Sequence, residues 1–420
     1  MSRVIIITPA FTQWNHGYSL TSVVEDQANM LSRHGHSVAV AVADTFIDPG
    51  EVYSFEFLPI IPILESAADY RSYASLDKAK QHIDVADSFA RVLNEHIQAE
   101  DVIFTHDVVY TGWNLPYFHG LKNSGVANNC YHWIHSIPTQ QFDWWNLSSL
   151  GPNHKLVIPN RAHRQLTAEV FQTVFDNVLY IPHIRDIREF LDFGEDAWKF
   201  TDRYPKALQA DIVQVYPASS DRLFHKGLKD LIFLFREFKK RGFSVCLIIA
   251  NQWATGRQRM EDLEEYTDTA SNNSLIPDSE FIFTSLYDVP RFELGLPRKF
   301  LRDLLSLSNL FVFPTVAESF GLVLPEVLLS SGALPVVNSH LEVMSEILGG
   351  RGMRFGFGSF TNGLAKPHTV GWYEAVASAI SQRIFDEESV ACRSIVRQEY
   401  NMDSIYNRYY HTLVRSVSDE

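Results

Sequence analysis

Strand-like and helix-like stretches alternate along this 420-residue chain, and after a polar interruption the alternation starts again. "RVIIITPAF" is a continuous apolar strand, and the helically spaced "LTSVVEDQANMLSRHG" behind it closes at Gly35, a glycine C-cap. "HSVAVAVAD", "DVIFTHD", "GVANNCYHWIHS", "HKLVIPN" and "NVLYIPH" follow as strands, with "DKAKQHIDVADSFARVLNEHIQA" and "RAHRQLTAEVFQTV" as helices between them. Uninterrupted apolar strands separated by helices predict a parallel sheet covered on both faces. The polar stretch "GEDAWKFTDRYPKALQA" breaks the series. "DIVQVYPAS", "FSVCLIIAN", "EFIFTSL", "NLFVFPT", "ALPVVNS" and "GMRFGF" then form a second one. Two doubly wound, Rossmann-like domains are expected, 1–200 and 205–395, with a helical end at about 396–420 returning to the first. The length agrees, since it exceeds one ordinary core. In such a pair, ligands belong in loops at the carboxyl ends of strands, on either side of a cleft.

Charge narrows the partners. The formal net charge is −14, and residues 1–200 hold 13 Lys+Arg against 23 Asp+Glu. A broad basic face for nucleic acid or anionic lipid is not expected. No apolar run reaches the roughly 18 residues of a membrane span. Cys130, Cys246 and Cys392 are too scattered for a disulfide framework or a metal motif, which fits a reducing, cytoplasmic setting.

Two strand-end loops in the second half carry chemistry. In "SDRLFHKGLKDL", Arg222 and Lys226 stand four apart where a helix begins, the arrangement of a phosphate site. In "PTVAESFGLVLPEVLLSSGALPVV", Glu318 and Glu326 bracket Phe320-Gly321. Carboxylates repel phosphates but accept hydrogen bonds from hydroxyls. Cations and backbone N–H groups for a diphosphate, with carboxylates for hydroxyls, match a nucleoside-diphosphate sugar.

"ESFGLVLPE", preceded by a strand ending in Pro-Thr and followed by "SSGALPVV", resembles the Glu-x7-Glu signature of retaining GT-B glycosyltransferases, the glycosyl transferases group 1 family. The distance back to "SDRLFHKG" is similar to that family, as is the segment "YIPHIRDIREFL". The resemblance is specific over roughly 211–350 and architectural over 1–195. It implies a GT-B fold and sugar transfer from a UDP- or GDP-sugar to an acceptor hydroxyl, with retention and with neither metal nor cofactor. Arg222 and Lys226 would bind the diphosphate, Glu318 the donor sugar and Glu326 the ribose. Gly17, Ser319, Phe320, Gly321 and Leu322 would complete the donor-binding set. The family's glycine pair in the first loop is reduced here to Gly17 in "TQWNHGYSL".

The first domain would take the acceptor. His135, in "YHWIHSIPTQQFDWW", stands where the family commonly has an active-site histidine, placed to donate to a hydroxyl of the donor sugar. His132 and Trp133 beside it, His106 and Asp107 in "HDVVYTGWNLPYFHG", and His16 in the first loop are acceptor-side candidates. A glycan or small metabolite is the expected acceptor. A hydroxymethylated DNA base, as in some phage enzymes of this fold, runs against the acidic first half. A nucleotide-sugar epimerase of the same fold, or a protein that only binds a nucleotide sugar, would share these residues.

Overall fold

The computed structural model describes the chain apart from residues 1, 9–10, 16–17, 64–75, 110–114, 137–145, 253–259, 319–320, 360–367 and 415–420. The chain divides into two units, Met1–Asp186 with Tyr400–Glu420, and Ile187–Glu399.

Unit 1 is built on β1 (Arg3–Ile7), β2 (Ser37–Ala43), β3 (Glu56–Ile61), β4 (Val102–His106), β5 (Cys130–Trp133), β6 (His154–Ile158) and β7 (Val178–Tyr180). The strands lie in the order β3-β2-β1-β4-β5-β6-β7, and every neighbouring pair is parallel. Side chains of a strand alternate between the sheet's faces, and β1 shows the consequence. Val4 and Ile6 enter one core with Val24 and Leu31 of helix Ser19–Arg33. Ile5 and Ile7 enter the other with Phe89 and Leu93 of helix Leu76–His96. Burying each such side chain contributes roughly 1.5–3 kcal/mol, so β1 is apolar from Val4 to Ile7 because both its faces are covered there. The strand order reverses between β1 and β4, where doubly wound sheets place their ligands. His106 ends β4 at that point.

Unit 2 contains β8 (Ile212–Ser219), β9 (Val245–Gln252), β10 (Phe281–Phe283), β11 (Leu310–Phe313), β12 (Leu334–Asn338) and β13 (Met353–Phe355). Its backbone ladders form two parallel three-stranded sheets, β10-β9-β8 and β11-β12-β13. Side chains join β8 to β11. Gln214 Nε2 donates to the Val312 carbonyl at 2.8 Å and its Oε1 accepts from Val312 N at 3.0 Å. Asn309 Oδ1 accepts from Val213 N at 2.9 Å, and Ser308 Oγ from Val215 N at 3.0 Å. Across this seam the order is the same doubly wound one as in unit 1. Gln214→Leu should leave both Val312 backbone groups buried and unpaired. At about 1–3 kcal/mol per orphaned group, the expected loss is roughly 2–6 kcal/mol, read as a lower urea midpoint with an unchanged m-value.

Two expectations shift. The chain passes to unit 2 at Asp186/Ile187, ahead of the expected 200–205. The stretch that reads as a polar pause is helical over Glu195–Arg203 and Lys206–Gln209, and buries Ala197, Phe200 and Leu208 in the unit 2 core. Its buried stripe is narrow and its outer face charged, so the sequence reads as a linker. The helical end is also not continuous. Helix Glu388–Glu399 stops, Tyr400 O accepts from Arg185 N, and Asn401 Oδ1 caps a new start by accepting from Ser404 N at 2.9 Å. Beyond it, Met402, Ile405 and Tyr410 lie in the unit 1 core. Among the described residues, no helix is long and apolar enough to cross a membrane.

Candidate functional site

In unit 2 the loops after β8 and β11 are tied together. β8 leads into a 3-10 turn, Ser220–Arg222, and then into helix Leu228–Lys240. The link is a tight coil: Lys226 N donates to Arg222 O at 2.9 Å and Leu228 N to Leu223 O at 3.1 Å. Gly227 closes it at φ +70°, and a Cβ there would stand 2.8 Å from the Pro314 carbonyl oxygen. Only glycine meets both the left-handed backbone and the close approach. Val316 N donates to His225 O at 3.0 Å, and the Tyr216 hydroxyl to Lys226 O at 2.6 Å. Burial, with the Glu318 charge nearby, raises the Tyr216 pKa and keeps that hydroxyl a donor.

This zipper brings the two motifs together. Lys226 Nζ forms an ion pair with Glu318, and the two side chains are only 18% and 14% exposed. Arg222, Lys226 and Glu326 line one cavity of about 390 Å³, along with Ser219, Gln252, Leu296, Leu301 and Val323. Glu326 sits in the first turn of helix Val323–Ser330, half exposed, with Arg298 Nη2 at 4.0 Å. Gly321 turns the chain at φ +82°, where a Cβ would stand 2.9 Å from Met344 Cε, and Leu322 is exposed at the helix start. Arg222, Lys226 and the Glu326 carboxylate thus share one concavity, with Glu318 reaching it through its pair with Lys226. A cavity of this size suits a small-molecule ligand.

In unit 1 the structure assembles a line of side chains that sequence reasoning had seen only in part. Gln27 Nε2 donates to the Tyr410 hydroxyl oxygen at 2.7 Å, and Gln27 Oε1 meets His106 Nε2 at 2.9 Å. His106 Nδ1 meets His135 Nε2 at 2.8 Å, and His135 Nδ1 meets His183 Nε2 at 3.3 Å. The three imidazoles lie nearly coplanar and edge to edge along these bonds, with successive centroids 5.0 Å apart. Burial, with the neighbouring histidines, pushes His106 well below its usual pKa. Burial and His183 push His135 down to about 3, and burial and Arg185 push His183 down to about 4. All three rings are neutral near pH 7. Asp107, at φ +55°, accepts from His135 N at 3.1 Å. Burial raises its pKa to about 6 against that opposing hydrogen bond.

The sequence candidates divide accordingly. Arg222, Lys226, Glu318, Gly321, Leu322 and Glu326 fall on the two tied loops of unit 2 and the helix that follows them. His106, His135 and Asp107 come together in unit 1. His132 and Trp133 do not fit an acceptor role. His132 is fully buried between Thr105 Oγ1 at 2.8 Å and His154 Nδ1 at 2.9 Å. Trp133 is buried against Phe104 and Tyr410. Both belong to β5, covered on each face, and have no surface for a ligand. His106 is itself buried, with its ring nitrogens meeting Gln27 and His135. His16, Gly17, Ser319 and Phe320 lie outside the described residues. His183, Gln27 and Tyr410 were missed. His183 stands in the quoted "YIPHIRDIREFL", but Gln27 and Tyr410 carry no local signal. Among the described residues, no group of three or more His, Cys, Asp or Glu is arranged to hold a metal ion.

No family model and no curated protein sequence matches this chain. Solved structures with a likeness to it include a UDP-forming α,α-trehalose-phosphate synthase from Burkholderia xenovorans, at 15% identity, 99% coverage of each chain and a TM-score of 0.38. Another is a glycosyltransferase from Rickettsia africae, at 11% identity, 98% coverage of each chain and a TM-score of 0.36. A third is an α,α-trehalose 6-phosphate synthase from Burkholderia multivorans, at 15% identity, 100% coverage of this chain, 99% of the other and a TM-score of 0.35.

Proposed function

We propose that this chain is a glycosyltransferase that holds a UDP- or GDP-sugar on unit 2 and moves the sugar to an acceptor hydroxyl, with retention and without a metal. The supporting observation is that Arg222, Lys226 and Glu326 line one cavity, with Glu318 paired to Lys226 at its side. Arg222 and Lys226 carry fixed positive charge for the diphosphate, Glu318 accepts from sugar hydroxyls and Glu326 from ribose hydroxyls. As the glycosidic bond to the diphosphate breaks, negative charge grows on the phosphate oxygens. Pre-placed cations favour that charge more than they favour the ground state. Attack by the hydroxyl on the face the diphosphate leaves keeps the anomeric configuration, and the hydroxyl proton passes to the departing diphosphate oxygen. A glycan or small metabolite is the proposed acceptor.

A thermal-shift and calorimetric panel of UDP, GDP, ADP and TDP with their glucose conjugates tests the reading. A bound nucleotide at a hundred times its Kd stabilises the folded chain by about 2.7 kcal/mol, a melting shift of a few degrees. Stabilisation by one nucleotide series, lost in Arg222→Ala, is the expected outcome. If no nucleoside diphosphate binds at millimolar concentration, the reading fails.

A further inference from the structure

The line of side chains in unit 1 has a direction. Gln27 is oriented with its amide N–H toward Tyr410, so its Oε1 faces His106 and can only accept. His106 Nε2 therefore carries the proton. A neutral imidazole has one N–H and one lone pair, so His106 Nδ1 is bare and His135 Nε2 must be the donor to it. The same reasoning moves one ring along: His135 Nδ1 is bare and His183 Nε2 donates to it. The line then ends at His183 Nδ1, a lone pair that makes no hydrogen bond to any described residue, on a partly exposed side chain. Both ring nitrogens of His135 are used within the line. It has none to offer a sugar, contrary to the expected donation from that ring.

We propose that His183 is the hydroxyl-binding residue of unit 1, with Gln27, His106 and His135 as positioning residues that fix its tautomer through the hydrogen-bonded line. A bare imidazole nitrogen accepts and cannot donate, so a carboxylate or phosphate oxygen, which has no proton to give, is a poor partner. An ammonium group would meet Arg185, whose charge already acts on the His183 ring. A hydroxyl has the proton, no net charge, and the size to approach. That this hydroxyl belongs to the sugar acceptor rests on the glycosyl-transfer reading. The role is orientation: Nδ1 holds the hydroxyl hydrogen and leaves the oxygen's lone pairs free to attack.

Two measurements test this independently. In the full chain labelled with ¹⁵N-histidine, long-range ¹H–¹⁵N spectra at pH 7 should show His106, His135 and His183 all as Nε2–H tautomers. Gln27→Met should turn His183 into a tautomer mixture, three hydrogen bonds away, with the protein still folded. An Nδ1–H tautomer at His183 in the wild type, or an unchanged His183 in Gln27→Met, overturns the line. In turnover assays with UDP-glucose and GDP-glucose against a monosaccharide and glycan panel, His183→Phe should raise the acceptor KM at least tenfold. It should leave the donor KM unchanged, and His183→Gln, whose amide oxygen still accepts, should recover most of the loss. An unchanged acceptor KM in His183→Phe overturns the hydroxyl role. If the wild type turns over neither donor and binds no nucleotide, the glycosyl-transfer reading falls, and the spectra still decide the histidine line.

Discussion

Lys226→Ala is expected to lower kcat for sugar transfer by about 10²–10³-fold, the usual loss when one pre-placed charge-stabilising group is removed. The effect should fall on kcat more than on the donor KM, because the charge that Lys226 meets grows as the diphosphate departs. The variant also strands Glu318, a carboxylate only 14% exposed. Breaking a fully buried pair from one side costs about 3–5 kcal/mol of stability, and this part-buried pair less, so folding has to be measured beside activity. Lys226→Ala combined with Glu318→Gln removes the stranded charge and should regain stability without regaining rate. Lys226→Arg should keep part of the rate. A Lys226→Ala kcat within threefold of the wild type would refute the role of this lysine.

Acidification should unfold unit 1 before unit 2. Five largely buried histidines, His106, His132, His135, His154 and His183, have pKa values lowered first of all by burial. In the unfolded chain a histidine titrates at about 6.5. The stability these groups contribute is therefore complete above pH 6.5. It is lost as pH falls toward their folded values, about 3 for His135 and about 4 for His154 and His183. Asp107 works the other way: its pKa, raised to about 6, lets the folded chain take up a proton first. Five histidines less one carboxylate gives four net protons, a slope of roughly 5 kcal/mol per pH unit at its steepest. That exhausts a stability of about 5–15 kcal/mol within two or three pH units. Unit 2 depends on different groups. Against a burial cost, hydrogen bonds from Lys240 and Arg236 hold Glu237 low, and those from Lys206 and Lys239 hold Glu280 low. Their contribution declines only as pH falls below the ordinary value of 4.5. Hydrogen exchange read by mass spectrometry at pH 6, 5 and 4 should show unit 1 amides losing protection first. Simultaneous loss in both units would contradict this.

Most strands were legible because both their faces are covered, and a run such as Val4–Ile7 has few other places to go; the half-exposed edge strand β3, with Glu56 and Pro59 exposed, was not among them. Cover on both faces also hid the site in unit 1. In a strand buried on both sides, alternation does not distinguish a core position from a ligand-facing one, so His132 and Trp133 read as candidates beside His135. The seam between β8 and β11 was not legible either, since nothing marks Gln214 as a partner for a strand ninety-eight residues away. The pairing of Lys226 with Glu318 was within reach, because both follow apolar strands that end in a glycine-containing turn. Gln27 and Tyr410 meet across 383 residues, and only the folded chain brings them to one line.

On the proposed reading, the ion pair in unit 2 would also select among ligands. With Lys226 and Glu318 engaged with each other, a lone phosphate must pull the ammonium from a carboxylate that then has no partner. A free sugar must pull the carboxylate from an ammonium left equally exposed to loss. Each of those ligands repairs one half of the damage and leaves the other. A molecule that brings a diphosphate and a hydroxylated ring together compensates both halves in the same event. On the proposed reading, the pair would favour a ligand that presents both groups at once over either alone.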